Sequence, residues 1–422
     1  MATGVPKIEW LNDPSVVLSG QRGKLVDFDR ERSRRKGDPA FTRLRSAATG
    51  KLESRLYWAD NLDVLSSLSN DSSICGKVRL IYIDPPYATN SVFQSKAMKP
   101  AYADVLTGER YLLFLRARLE LLRGMLADDG SIYVHLDETM VFHAKVMMDE
   151  IFGAKNFRSF ITRRKCSSKN YTHKTYGDVS DYILFYTKSA QYVWNRPVAP
   201  WTDEHADREY PYAEETTERR FKKVPLHAPG VRNGPCGKPW RGMAPPAGRH
   251  WKTTPAKLEA LDAKGEIYWS STGNPRKKVY LDESKGVSVS NLWMDCRDAH
   301  NQNVKITGYP TEKNETILDR IVRASTNKGD LVLDCFCGSG TTLAAAQALD
   351  RRWVGVDNSK DAILTSIKRL APMAADSLTV LAPATLAADG KDARSLMTAI
   401  VSRAKQSPAI KAAKKAPRGL AK

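Results

Sequence analysis

The sequence predicts an α/β protein built on an open, mostly parallel sheet, and three segments carry that expectation. Ile81-Tyr82-Ile83 is an apolar run that stops at Asp84-Pro85-Pro86-Tyr87, so a buried strand ends at two prolines that have no N–H to give to a ladder. Leu331 to Asp334 is a second run, followed by Cys335-Phe336-Cys337-Gly338-Ser339-Gly340-Thr341-Thr342 and an alanine- and leucine-rich stretch from Leu343 to Leu349 that reads as a helix. Arg352-Trp353-Val354-Gly355-Val356 is a third strand, ending at Asp357. In open α/β sheets ligands collect beyond the carboxyl ends of the strands, where both Asp84 and the glycine turn fall.

The remaining elements fill in around these. Leu56 to Leu68 holds Trp58-Ala59-Asp60-Asn61-Leu62 and then a short amphipathic helix ahead of the Asp84 strand. Apolar positions 111, 115, 119, 122 and 126 keep helical spacing, Asp129-Gly130 closes that helix, and Ser131 to Leu136 reads as the next strand. Asp137 and Glu138 at its end either support the site or are solvated turn acids. Tyr182 to Tyr186 continues the sheet.

The chemistry follows from the residue types. Asp84, the Pro85 carbonyl and the Tyr87 ring are the parts needed to grip an exocyclic amine on a planar base. Gly338 and Gly340 allow a sharp turn and close approach of backbone to a ligand, and the amides opening the following helix face a polar or anionic group. Asp357, about twenty residues after the glycine turn, suits ribose hydroxyls. The G-x-G spacing lacks a third glycine and no G-K-[ST] follows, which disfavours NAD and ATP.

Formal net charge over 422 residues is +19, which points to a polyanionic partner rather than a small acidic substrate. Between Arg219 and Lys252 stand nine Lys or Arg and no Asp or Glu. Arg219, Arg220, Arg232, Lys238, Arg241, Arg249 and Lys252 are interleaved there with Trp240 and Trp251, the pattern of cations for phosphates and guanine edges with rings for bases. The stretch 403–422 carries seven basic residues and no acid, and reads as a flexible nucleic-acid tether. The six cysteines include one close pair, Cys335 and Cys337, with no second pair or His cluster, so they read as reduced thiols with no metal. No apolar stretch spans a bilayer and Met1 to Trp10 is not a signal peptide, so a soluble intracellular protein with no membrane partner is expected. The expected layout is an N-terminal arm (1–50), a catalytic half (51–156), a sheet continuation with a target-recognition insert (157–300), a cofactor half (301–375) and a basic tail (376–422).

These motifs, in this order, resemble the β-class amino-methylating DNA methyltransferases: Asp84 to Tyr87 first, the basic insert next, Asp334 to Thr342 last. The match extends to Asp129 through Asp137, to Gly308-Tyr309-Pro310-Thr311-Glu312-Lys313, and to Ala228 through Gly234 with Lys238 through Gly242, which look like recognition sequence of type III modification subunits. It covers roughly residues 50 to 370. The resemblance implies a Rossmann-like class I methyltransferase fold with a mixed, mostly parallel seven-stranded sheet, and S-adenosylmethionine as cofactor. It further implies catalysis by Asp84, Pro85, Pro86 and Tyr87 on adenine N6 of double-stranded DNA. The cofactor set implied is Asp60, Thr311, Lys313, Asp334, Phe336, Gly338, Gly340, Thr341 and Asp357. Asp60 would contact the cofactor's adenine; a helix N-cap suits it equally well. Cytosine N4 is the alternative target, although N4 enzymes more often carry serine at the Asp84 position, and a non-catalytic DNA-binding subunit is the alternative from another class. A homodimer, a restriction subunit as partner and a nucleoid-associated place in the bacterial cytoplasm go with the resemblance. Two segments depart from the family: Asn314 stands where proline usually follows the lysine, and Asp295-Cys296-Arg297-Asp298 replaces an apolar, proline-containing stretch.

Overall fold

The computed structural model describes residues 41–45, 53–86, 108–167, 174–298, 313–374 and 377–383. The expected basic tail beyond Pro383, nearly all of the N-terminal arm, and the site residues Tyr87 and Thr311 lie outside them, while Leu378–Pro383, expected to be the start of that tail, is a strand of the large sheet. The chain divides into two compact units, one of the residues up to Pro197 together with those from Ser290, the other Val198–Val289.

The first unit is organised by one ten-stranded sheet. Its strands are β1 (Phe41–Arg45), β2 (Ser54–Trp58), β3 (Val78–Ile83), β4 (Leu126–Leu136), β5 (Phe157–Arg164), β6 (Ser180–Thr187), β7 (Leu292–Trp293), β8 (Leu331–Asp334), β9 (Arg352–Asp357) and β10 (Leu378–Pro383). They lie side by side in the order β1-β10-β2-β9-β8-β3-β4-β6-β5-β7. The block from β10 to β4 is parallel throughout, β6 runs antiparallel to β4, and β5 antiparallel to β6. The expected mixed, mostly parallel sheet is therefore present, with ten strands where seven were expected. Strands β10 and β1 add to it beyond β2, and the two-residue β7 beyond β5.

Among the described residues six α-helices accompany these strands: α1 (Asn61–Leu68), α2 (Gly108–Met125), α3 (Val141–Met148), α4 (Glu315–Ser325), α5 (Thr341–Ala348) and α6 (Lys360–Ala374). No described helix is long and apolar enough to cross a membrane. The stretch before α1, which gave no strand signal, is β2, pairing with both β9 and β10. Helix α2 ends at Met125 rather than at Asp129-Gly130, and the chain enters β4 at once. Gly130 serves the sheet instead: a Cβ there would stand 2.8 Å from the Val78 carbonyl oxygen, where β3 and β4 shift register. The core is the apolar face of the parallel strands, with Ile81, Ile83, Val134 and Val356 sealed from solvent. Each such side chain contributes about 1.5–3 kcal/mol.

Parallel pairing sets the position of the site. Leu333 pairs with Ile81, Asp334 with Gly355, Tyr82 with Tyr133 and Asp357 with Trp58. The carboxyl ends of β2, β9, β8, β3 and β4 thus fall along one edge, and that edge carries Asp60, Asp357, Asp334, Asp84 and Asp137.

The Val198–Val289 unit is antiparallel. A four-stranded sheet orders Ile267–Trp269, Pro275–Tyr280, Arg220–Pro225 and Tyr212–Ala213, and a two-stranded ladder joins His227–Pro229 to Arg249–Trp251. Helix Pro255–Ala263 packs Leu258 into a small core of Leu226, Trp240, Trp251 and Ile267.

Candidate active site

Asp84 directly follows β3, with Pro85 buried and Pro86 half-buried behind it. A pyrrolidine nitrogen gives no hydrogen bond, so β3 stops pairing where the edge begins. Lys313 Nζ lies 3.1 Å from Asp84 Oδ2, both side chains being largely shielded from solvent. The lysine expected in the cofactor set is thus seated on the candidate catalytic carboxylate. Asn314, the departure from the family pattern, is the N-cap of α4: its side chain accepts from Thr316 N–H at 2.9 Å and donates to the Arg297 carbonyl at 2.7 Å. Proline could supply neither bond, and the cap fixes the chain beside Lys313.

The next strand carries the glycine turn. Asp334 is buried, and its carboxylate accepts the Phe336 N–H at 3.0 Å. Burial pushes the Asp334 carboxyl up to about 7, against hydrogen bonds from Thr342 and Phe336, and the charges of Asp84 and Asp357 push the same way. Gly340, at φ +76°, occupies backbone space that other residues rarely enter, and a Cβ on it would sit 2.7 Å from Ser366 Oγ. Ser366 Oγ donates to the Gly338 carbonyl at 2.9 Å, tying the turn to α6. Asp357 accepts Gly338 N–H at 2.9 Å and Ser359 N–H at 2.8 Å. Burial raises its pKa and those backbone bonds oppose the rise. Here Asp357 braces the glycine turn, a job that the ribose assignment did not include. Thr341 is buried, 3.1 Å from Ser339 Oγ and accepting from Arg369 at 2.9 Å, so it pins α5 rather than lining an open surface.

Asp60 is exposed and is the N-cap of α1, accepting Leu62 N–H at 2.8 Å. Ala59 N–H donates to the Asp357 carbonyl at 3.0 Å, which brings the Asp60 turn beside Asp357. Two residues that were not singled out from sequence hold this corner together. Asn61 Nδ2 donates to the Cys335 carbonyl at 2.8 Å, and Arg118 Nε donates to Asn61 Oδ1 at 2.6 Å. The Arg118 guanidinium stacks 3.6 Å from the Phe114 ring centre, and Phe114 packs 6.0 Å from Phe336. The signal was present, because Arg118 interrupts the apolar stripe of 111, 115, 119 and 122.

Behind Asp84 runs a buried polar chain across four strands. Tyr82, on the same face of β3 as Asp84 by strand alternation, has its hydroxyl 2.7 Å from His135 Nδ1. His135 Nε2 is 2.9 Å from Asp181 Oδ2, and Arg163 Nε donates to Asp181 Oδ1 at 2.6 Å. Arg163 also donates to Asp298 at 2.7 Å and to the Cys296 carbonyl at 3.1 Å. Burial holds the His135 pKa down, and Lys313 adds to this. Burial alone would raise the Asp181 carboxyl, but His135 and Arg163 outweigh it and hold it far below the usual carboxylate range. The unusual Asp295-Cys296-Arg297-Asp298 stretch is part of this scaffold, since Asp298 meets Arg163 and Asp295 pairs with Arg320. Asp137, one of the two acids read either as site support or as solvated turn residues, is buried and accepts Met140 N–H ahead of α3.

The expected DNA-contact set needs correction. Trp240 and Trp251 are core residues, each 3 % exposed, and their ring N–H groups are used by Glu259 and the Lys238 carbonyl. Neither presents a face on which a base could stack. Arg219 pairs with Asp282 and Glu283, Arg220 with Asp207, and Arg241 with Glu259 and Asp262. The run that lacks acids in sequence recruits them from outside its own window. Arg232, Lys238, Arg249 and Lys252 remain exposed with no ion pair among the described residues, and Arg249 lies 3.2 Å from His227 Nδ1.

The edge as a whole suits a cationic, amino-acid-bearing nucleoside. Asp60, Asp84, Asp334 and Asp357 outnumber the two cations among them, Lys313 on Asp84 and Arg118 3.7 Å from Asp60; the Gly340 cradle has no room for a side chain, and the partly exposed Phe336 ring belongs to the same turn. An α/β sheet with an Asp-Pro-Pro turn one strand from such a cradle points to a class, the amino-methyltransferases. A family model described as DNA methylase, of the N6/N4 type, matches residues 78–368, and the chain belongs to that family. It is 49 % identical over 320 residues to the type II methyltransferase M.EcaI of Enterobacter cloacae, covering 76 % of this chain and 70 % of that one. It is 28 % identical over 326 residues to the Mod subunit of the type III restriction-modification enzyme StyLTI of Salmonella typhimurium, covering 69 % of this chain and about half, 49 %, of the subunit. Among solved structures, the complex of M1.HpyAVI with SAM matches 75 % of this chain and 98 % of its own at 16 % identity and a TM-score of 0.41. DNA methylases of this family take their methyl group from S-adenosylmethionine.

Proposed function

We propose that the chain methylates the exocyclic N6 of adenine in double-stranded DNA, on a base turned out of the helix. The observation that carries this reading is Asp84-Pro85 at the end of β3, one strand from the Gly338–Gly340 turn at the end of β8. An adenine amine is a poor nucleophile because its lone pair is delocalised into the ring. The Asp84 carboxylate accepts one N–H and the Pro85 carbonyl the other, which favours a more tetrahedral nitrogen with its lone pair aimed at the donor. S-adenosylmethionine, when bound, supplies a methyl carbon activated by a sulfonium. Lys313 grips Asp84 Oδ2 and fixes where the carboxylate stands. The nitrogen loses its proton after methyl transfer, so Asp84 need not be a strong base. Tyr87 stacks on the extruded base and offsets part of an unstacking cost of a few kcal/mol. Holding amine and donor together is worth roughly 7–11 kcal/mol, the largest share of the acceleration.

Aspartate rather than serine at position 84 favours adenine over cytosine. Single-molecule sequencing of DNA from a methylation-free bacterial host expressing the chain tests this. N6-methyladenine at one motif is expected; N4-methylcytosine would reassign the base, and no mark from protein that binds cofactor would reject the reading. A homodimer on a palindromic site, in the bacterial cytoplasm and paired with a cognate endonuclease, accords with this activity. Sedimentation with and without a duplex carrying the motif would test the dimer.

A further inference from the structure

Trp240 and Trp251 are buried inside the Val198–Val289 unit, and Arg219, Arg220 and Arg241 are each ion-paired at its surface. Helix Pro255–Ala263 forms one wall of a cavity of about 420 Å³. Leu258 and Leu261 lie on its apolar floor, and Lys252, Lys257, Lys264 and Lys277 line it too. The nearby acids are already engaged. Glu259 accepts from Trp240 at 2.9 Å and from Arg241 at 3.0 Å, Asp262 accepts from Trp269 at 2.8 Å and meets Arg241 at 2.7 Å, and Glu266 stands 3.9 Å from Lys277. Arg241 thus pairs with both acids of the helix, while Lys252, Lys257 and Lys264 are exposed and have no ion pair among the described residues. Lys252 is also placed by the fold, because its N–H donates to the Leu226 carbonyl at 2.7 Å.

We propose that this cavity seats the sugar–phosphate backbone of the DNA substrate, the lysines taking successive phosphates and the apolar floor taking sugar faces between them. The inference rests on the DNA-methylating reading above. A lone inorganic anion would satisfy one or two lysines and leave the apolar floor uncovered, whereas a nucleic-acid strand is a polyanion with apolar surface between its charges. Lysines at such a seat add affinity without reading sequence.

The salt dependence of duplex binding by the full chain is the test. Each phosphate contact contributes about 0.9 to the slope of log affinity against log salt. The pair Lys257→Gln with Lys264→Gln should reduce that slope by about 1–2 and weaken binding about tenfold at low salt, with cofactor affinity and Tm unchanged. Lys257→Glu with Lys264→Glu should go further in the same direction. The control pair Lys77→Gln with Lys328→Gln removes two exposed lysines just ahead of β3 and β8, at the amino edge of the large sheet, and should leave the slope alone. An unaltered slope in the cavity pair, or an equal fall in the control, overturns the assignment. So does loss of tripolyphosphate binding with an unaltered DNA slope, which would make the cavity a small-anion site. If wild-type protein marks DNA while the cavity pair keeps its slope, only this inference fails; if wild-type protein neither binds nor marks duplex DNA, the functional reading fails with it.

Discussion

The parallel sheet and the inserted antiparallel unit treat polar residues in opposite ways, and the contrast shows which kind of sequence signal can be trusted. In the sheet, Asp84, Asp334 and Asp357 each follow an apolar run, and parallel pairing brings those ends to one edge whatever lies between them in sequence. Position along a strand fixed where those carboxylates stand. In the insert, residues 219–252 were read by composition, and composition does not say which way a side chain faces. Trp240 and Trp251 turned inward to make a core for a unit with little else apolar, and Arg219, Arg220 and Arg241 met acids contributed by segments before or after the run.

The contrast can be broken at its strongest point in the buried chain of the sheet. Asp181→Asn leaves Arg163 buried without its carboxylate, and breaking a buried pair costs about 3–5 kcal/mol. Thermal unfolding should shift down by several degrees, and the loss should be greatest near neutral pH. The folded-state pKa of Asp181 is depressed, so its stabilisation is present above the ordinary carboxylate range and fades as pH falls through it. An unchanged Tm would show that the chain of Tyr82, His135, Asp181 and Arg163 is incidental.

Trp240→Ala probes the insert in the same way. As a core residue it should cost about 3–5 kcal/mol in the stability of that unit, read by limited proteolysis or hydrogen exchange within Val198–Val289. A variant that keeps its protection but binds DNA more weakly would restore the base-stacking reading and dissolve the contrast.

Asp334 sharpens it with an opposite pH dependence. Its pKa is raised to about 7, so between about pH 4 and 7 the folded state keeps a proton that the unfolded chain gives up. Its contribution to stability is therefore fullest in acid and falls as pH rises through that window, by a few kcal/mol. Asp334→Asn should flatten that part of the stability profile. A cationic cofactor favours the ionised carboxylate, so wild-type affinity for S-adenosylmethionine should tighten as pH rises from 6 to 8, measured by calorimetry. Affinity that is flat across this range would remove Asp334 from the cofactor edge.

The smallest effect is expected at Arg219, a partly exposed residue paired with Asp282 and Glu283 and stacked on Tyr280. Arg219→Gln should leave Tm close to that of the wild type, since solvent-screened ion pairs stabilise little, and leave the salt slope of DNA binding unchanged. A slope reduced by about 1 would return this arginine to the DNA-binding set.

What was legible in the sequence follows the same division. The strands ending at Asp84, Asp334 and Asp357, the glycine turn and the helix after it could be read because proline, glycine and apolar runs constrain the backbone directly. Strand β2 was missed, since Ser54-Arg55-Leu56-Tyr57-Trp58 mixes polar and aromatic residues and declares itself only through pairing with β9 and β10. Lys313 was read as a cofactor residue because sequence places it beside Thr311, whereas its contact with Asp84 spans more than two hundred residues. His135 and Asp181 were passed over inside apolar strands, although a polar residue in a buried strand is the kind that requires a partner.

The most direct test of the central claim separates the two neighbouring strand ends. Asp84→Ala should bind S-adenosylmethionine within about twofold of wild type by calorimetry, yet transfer labelled methyl groups to duplex DNA about 10²–10⁴ times more slowly. Transfer that survives the substitution, or cofactor binding lost with it, would contradict the assignment of amine activation to the end of β3 and cofactor binding to the end of β8.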